Sequence, residues 1–562
     1  MRKILLVLLI GALFLGGSLL QGVPAAAAAD TKPVAVLSLP SYANLMDDVA
    51  FVGKLADRPA LNAALEGILA MVTQGKGLEG LDKTRPCGVI VQTDGQEIGG
   101  YGFLPVSDLK KLLSALQQAV GETKTAEGLT VIQPKNSPKP LYLKEQNGWA
   151  YFSDKPAQLA QTLADPSTVL EGLQKRYDVA VRLYPANLPA HLRDTALGQF
   201  RQKADRDMEQ QKPGESQQDF ETRKKVSKLV VDGLVTALKD LDRVTLGWSL
   251  DRSATKTSLD LNVTAQAGSP TAAQFAALAN TRTAVAGFRL PGAALVGNWA
   301  GTIPAAKIEI LDTLIDAIHA KGLANIERDQ KPAEETRLAK EAVDALAAAL
   351  QKTVRSAHCD GALAVMLAPD TATALVGGYV ADSAVIDKAA KALAELAKTS
   401  NPMLGEWITL DAEQFQGVHF HTVSIPIGFD ANDRERTVKL IGEKIDVVIG
   451  IGKNAFYLAA GRTPLKTLKE AISASASVSR ATIPPAQISL AVEPFARFLA
   501  VVAKPDDRPK FERMANALKN ADGSDHVRLV VSSIPNGANY HLEVEPGLLR
   551  MVGQLIANPQ GQ

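Results

Sequence analysis

Cysteine is almost missing from this chain: Cys87 and Cys359 are the two in 562 residues. A disulfide-stapled scaffold is thereby excluded, as is a C-x-x-C redox pair. Neither sign of charge is in excess, with 61 Lys and Arg against 60 Asp and Glu. Binding to phosphate backbones needs clustered cations, so nucleic acid is not an expected partner. After residue 20 no stretch approaches the ~18 uninterrupted apolar residues of a membrane-crossing helix. Also lacking are the G-x-x-x-x-G-K-[ST] phosphate loop, the H-E-x-x-H zinc helix and the G-x-S-x-G nucleophile elbow. The enzyme classes that a motif would reveal are therefore disfavoured, and no cofactor is expected.

What is present begins at the N-terminus. Met1-Arg2-Lys3 precede an apolar run from Ile4 to Leu20, followed by Gln21-Gly22-Val23-Pro24 and the alanines Ala25 to Ala29. A short positive region, an apolar stretch and a small-residue site in that order make residues 1–29 a cleavable secretion signal. An uncleaved anchor is the alternative, but Gly11, Gly16 and Gly17 weaken the run as a spanning helix. No cysteine follows the run, which excludes the lipidated form of export. The expectation is a periplasmic or extracellular protein with no transmembrane anchor after cleavage.

The remaining ~530 residues suffice for several domains, and the order of their elements occurs twice. A strand at Val34–Leu39 and helical patterning from Tyr42 to Val72 correspond to a strand at Ala294–Trp299 and helical patterning from Ile303 to about Arg355. Each half then opens a hairpin with a cysteine. Cys87–Thr93 turns at Asp94-Gly95 into Ile98–Phe103, and Cys359–Leu367 turns at Pro369-Asp370 into Ala374–Val380, with Gly-Gly-Tyr in both second strands. Amphipathic helices capped at Ser107-Asp108 and Asp382-Ser383 follow. Hairpin signals at Asn147-Gly148 and Asn536-Gly537 make the sheets largely antiparallel. The fold class expected is α+β: two homologous modules, residues 30–280 and 292–562, each a largely antiparallel sheet with helices packed on one face, joined by a linker at 281–291. Residues 201–228, dense in charge with Pro213-Gly214 in their middle, read as a solvated helical insertion with a turn.

Candidates for chemistry are few. Gly450-Ile451-Gly452-Lys453-Asn454-Ala455 imitates a dinucleotide fingerprint, but a strand follows where that motif needs a helix, so it reads as a hairpin turn. His419-Phe420-His421 places two imidazoles on one face of a strand, where they could share a metal. No third ligand has motif spacing, and His526 or His541 cannot be placed by sequence, so half-buried histidines are the expectation. Cys87 and Cys359 occupy equivalent places in the two halves. In an oxidising compartment they are the candidates for one disulfide, with two buried thiols as the alternative.

Duplication without a chemical signature leads to an exported, non-enzymatic binding or structural protein of the bacterial cell envelope. Its partner would be an envelope protein. A carrier of an apolar ligand such as a lipid is the second reading, and a hydrolase without a recognisable motif the third.

Overall fold

Hydrophobic alternation decides where strands form. Along Lys32–Leu39 the side chains of Val34, Val36 and Ser38 are buried while their neighbours are not, the period-2 pattern of a pleated strand. The computed structural model of the chain describes residues 31–557 apart from 57, 134–138, 161–162, 369–370, 427–437, 439–441, 479–480 and 520–523. Residues 1–29, where a secretion signal is expected, and the Pro369-Asp370 turn lie outside the described residues. No described helix is long and apolar enough to cross a membrane.

Two compact units form. The first takes residues up to Leu197, Lys239–Gln266 and Glu543 onward; the second takes Gly198–Leu238 and Ala267–Leu542. The first unit holds β1 (Lys32–Leu39), β2 (Cys87–Thr93), β3 (Ile98–Pro105), β4 (Thr123–Ala126), β5 (Leu129–Ile132), β6 (Leu141–Gln146), β7 (Trp149–Ser153), β8 (Val179–Leu183), β9 (Leu241–Asp251) and β10 (Lys256–Ala265). These pair antiparallel in the order β4-β5-β6-β7-β3-β2-β1-β8-β9-β10.

A short β11 (Arg282–Thr283) opens the strands of the second unit. There follow β12 (Leu295–Thr302), β13 (His358–Ala368), β14 (Thr371–Tyr379), β15 (Ile408–Phe415), β16 (Val418–Pro426), β17 (Lys444–Gly452), β18 (Ala455–Gly461), β19 (Ala481–Thr482), β20 (Ala486–Ala491) and β21 (His526–Ile534). Its main sheet runs β15-β16-β17-β18-β14-β13-β12-β20-β21, again antiparallel. Strand for strand these nine repeat the order β4-β5-β6-β7-β3-β2-β1-β8-β9 of the first unit. The register agrees as well: Leu39 faces Cys87 and Gly301 faces Cys359, and three residues earlier Val36 lies between Ile90 and Arg182 as Asn298 lies between Ala362 and Gln487. The Gly-Gly-Tyr triplets are a poorer guide. Val89 faces Gly102 and Gly361 faces Gly378, so Gly378 corresponds to Gly102, and the triplets are two residues out of step on the same face.

Helices cover both faces of each sheet, not one. Neighbouring residues of β7 point oppositely: Tyr151 packs with Leu159, Leu163, Leu170 and Leu173, whereas Ala150 and Phe152 pack with Leu109 and Leu112. In the second unit Phe420 and Tyr457 meet Leu468 and Ala471 of the helix Pro464–Ser477, while Ile451 and Phe456 meet Ala349 and Ile386 on the other side. A strand apolar on both faces signals this two-sided cover.

Residues 281–291, the expected linker, carry β11 and a short 3-10 turn whose Val285 and Phe288 are buried in the second unit's core. Asp360 holds this segment, accepting hydrogen bonds from Thr283 Oγ1 at 2.6 Å and the Ala284 amide at 2.7 Å. The charged insertion is a pair of helices, Ala190–Glu209 and Gln217–Asp240. Between them Gly214 takes a left-handed φ of 79°, and Arg223 bonds both the Glu215 carboxylate and the Gln210 carbonyl.

Candidate functional site

Strand β16 sorts its side chains by alternation. Val418 and Phe420 enter the core beneath the helix Pro464–Ser477, and His419 and His421 point to the opposite face. There the two histidines part company: His419 is exposed, while His421 is only 2% exposed. The helix Ser383–Ser400 approaches this face, its start tied down by Ser383 Oγ donating to the Lys453 carbonyl at 2.9 Å.

Two carboxylates and an amide converge on His421. Its Nε2 lies 2.9 Å from Asp387 Oδ1, and the backbone N–H of Asp411 donates to Nδ1 at 3.0 Å. That amide is aimed by a bulge. Thr409 faces Thr422 and Glu413 faces Phe420, so three residues of β15 stand opposite His421 alone, and Asp411 adopts a left-handed φ of 47°. Asp and Asn tolerate that conformation better than other side chains do. Because Nδ1 accepts the hydrogen bond of the amide, the neutral ring carries its proton on Nε2 and donates a hydrogen bond to Asp387. One turn along the helix, Lys391 Nζ lies 2.8 Å from Asp387 Oδ2 and 3.7 Å from Asp411 Oδ2. Burial pushes the Asp387 carboxyl up, but the hydrogen bonds from Lys391 and His421 outweigh it and hold Asp387 below the usual carboxylate range. Its hydrogen bond to Asp387 in turn raises Lys391.

Asp387, Asp411 and His421 offer three ligand atoms within 4.8 Å of one another. Protonation argues against a metal there. A ligating Nε2 must shed its proton, and Nδ1 would then have to carry one; the Asp411 N–H already points at Nδ1. The Lys391 ammonium also supplies the positive charge that the two carboxylates attract. For the same reason His421 is poorly placed as a general base: both ring nitrogens are engaged and the ring is out of solvent. His419, His526 and His541 are not in this group.

Cys87 and Cys359 are both free thiols, half-buried at the start of their hairpins. Burial pushes the Cys87 thiol up to about 11, and burial together with the neighbouring Asp360 raises Cys359. Neither is activated as a nucleophile. The Gly450–Ala455 segment is a hairpin: β17 ends at Gly452 and β18 starts at Ala455.

Sequence reasoning reached His421 but not Asp387, Lys391 or Asp411. A spacing of four between Asp387 and Lys391 on an alanine-rich helix was the available signal. Asp411 had none, since only the bulge brings it in. Corresponding places in the first unit are apolar. His419 faces Ile451 as Thr130 faces Leu143, which matches His421 to Ile132. Five residues after the helix cap, Asp387 follows Asp382 as Leu113 follows Asp108. Ile132 is buried in a cluster against which Leu113 packs, and β4 and β5 pair there without a bulge.

A second feature is larger. In the first unit Leu183, Leu246, Trp248 and Leu259 are exposed on neighbouring strands, with Trp248 facing Leu259 and Leu246 facing Val181 and Leu261. In the second, Val376, Leu458 and Ile488 are exposed, and Val376 lies between Leu363 and Leu458. Leu183 and Ile488 hold the same register place, one residue beyond Arg182 and Gln487. Each sheet thus carries an open apolar stretch. Elsewhere in the second unit, surface clefts of about 760 and 550 Å³ run beside Arg462, Lys466 and Lys469 and along Phe498, Val501 and Ala515. No protein-family model, curated protein or solved structure matches the chain.

Proposed function

We propose that this is an exported, non-enzymatic binding protein of the cell envelope, built by copying one ancestral α+β unit, and that it works through the open apolar stretches of its two sheets. The observation that carries the reading is the row Leu183, Leu246, Trp248 and Leu259, with Val376, Leu458 and Ile488 in the second unit, left exposed on otherwise well-packed sheets. Scattered surface leucines need no explanation, but contiguous apolar side chains on adjacent strands mark a surface that something covers. An open strand face suits the flat surface of a protein partner. The same rows favour, as a second reading, an apolar ligand such as a lipid, because the cross-strand neighbours just described are themselves apolar. Shared strand order and register support the duplication.

The experiment uses mature protein taken from the envelope, with its N-terminus, expected near Asp30, read by mass spectrometry. A photo-reactive residue at Trp248 or Leu458 should capture one specific protein, and Leu246→Lys with Ile488→Lys should abolish capture without lowering Tm. A co-purified lipid released by the same substitutions selects the second reading. Full-length protein retaining residues 1–29, or no adduct and no lipid, would refute the proposal.

A further inference from the structure

The His421 pocket is a polar cluster that the sister unit does without. Its tautomer is set by one contact: Nδ1 accepts the Asp411 amide at 3.0 Å while Nε2–H faces Asp387. An imidazolium carries N–H on both nitrogens, so a protonated His421 cannot accept that amide. The acceptor within reach is the Asp411 carboxylate, whose Oδ1 is 3.9 Å from Nδ1. From these contacts we infer that His421 and the 410–412 bulge form a proton-operated latch, in which protonation exchanges the Asp411 amide for its carboxylate at Nδ1 and releases the bulge.

Charge in the pocket points the same way. Asp387 and Lys391 face the ring from the helix and Asp411 from β15; β17 contributes Ile449 opposite His421, which is uncharged. Two carboxylates and one ammonium leave one negative charge in excess, which an imidazolium neutralises. Exposed His419 lies along the same strand and makes none of these contacts. The first unit shows that the architecture does not need the device: Leu113 and Ile132 close the equivalent place with β4 and β5 in unbroken register. A buried ionic cluster is rarely the most stable filling of such a place, and a switch is among its best-attested uses. This inference stands apart from the apolar surfaces and from whatever covers them.

Amide hydrogen exchange of the full chain tests it, with rates corrected for their intrinsic pH dependence. Exchange in residues 408–415 should be at least tenfold faster at pH 5.5 than at pH 7.5. Asp387→Leu with His421→Ile, which imports the sister residues, should remain slow at both pH values. His421→Asn, whose side-chain oxygen stands close to the place of Nδ1 and can still accept the Asp411 amide but cannot become a cation, should behave likewise. Wild-type rates that do not change with pH, or an acceleration that survives in either folded variant, would overturn the latch.

Discussion

A carboxyl held out of water shows how single residues make stability depend on pH. Asp48 is buried, and burial with the neighbouring Asp178 and Asp47 raises it to about 6 from an ordinary 3.8, against the lowering pull of Arg252. The folded state therefore binds this proton more tightly than the unfolded chain. The resulting stability is present at low pH, falls as pH rises from about 4 to about 6, and is absent above that. Asp48→Asn removes the buried charge, so it should raise Tm by roughly 1–3 °C at pH 8 and have little effect at pH 4, as read by thermal melts at the two values. At this scale the sequence is only partly legible. His421 stands out as a histidine on an apolar strand. Asp387 and Asp411 become its neighbours only in space, through a helix that lies over the strand and a bulge that no local pattern announces. The reach of Arg252 to Asp47 and Asp48, across some two hundred residues of chain, is invisible for the same reason.

Within elements, strand glycines are tied to aromatic neighbours. A Cβ on Gly102 would meet the Phe152 ring at 2.0 Å, and one on Gly361 would meet Trp299 at 2.5 Å. Each glycine leaves the space that a ring from the paired strand occupies, which explains glycine in strands that would otherwise favour branched residues. Gly102→Val should lift Phe152 from its place and cost about 1–3 kcal/mol, read as a lower denaturant midpoint. Hairpins were the most legible elements, because their turns are local chemistry. Asn147 and Gly148 both take positive φ in the two-residue turn joining β6 to β7. The Asn536 signal is displaced by one residue, the turn falling on Pro535-Asn536 ahead of a strand that begins at Gly537. The strands β4 to β6 and β15 to β17 carried weaker signals than the cysteine hairpins, because their pairing partners decide their burial. Helices on both sheet faces were missed for a related reason: a strand apolar on both sides looks in sequence like any short apolar run.

For the molecule as a whole, the last described helix returns to the first. The helix Pro546–Ala557 belongs to the first unit, where Gly553 lies so close to the helix Tyr42–Leu55 that a Cβ would come within 2.3 Å of the Leu55 carbonyl. Gly553→Leu should separate the two helices, and hydrogen exchange across residues 42–55 should accelerate while the strands of the second unit are unaffected. Such a return could not be read from a cut into residues 30–280 and 292–562, because it depends on which surface the last helix finds. The sequence alone determined the mixed composition of helix and strand, the antiparallel hairpins and the recurrence of element order, since all three follow from hydrophobic period and turn chemistry within a few residues. Only the tertiary structure decided the strand order, the helices on both faces, the apolar stretches left open and the carboxylates gathered about His421, because each depends on residues far apart in the chain being brought together by packing.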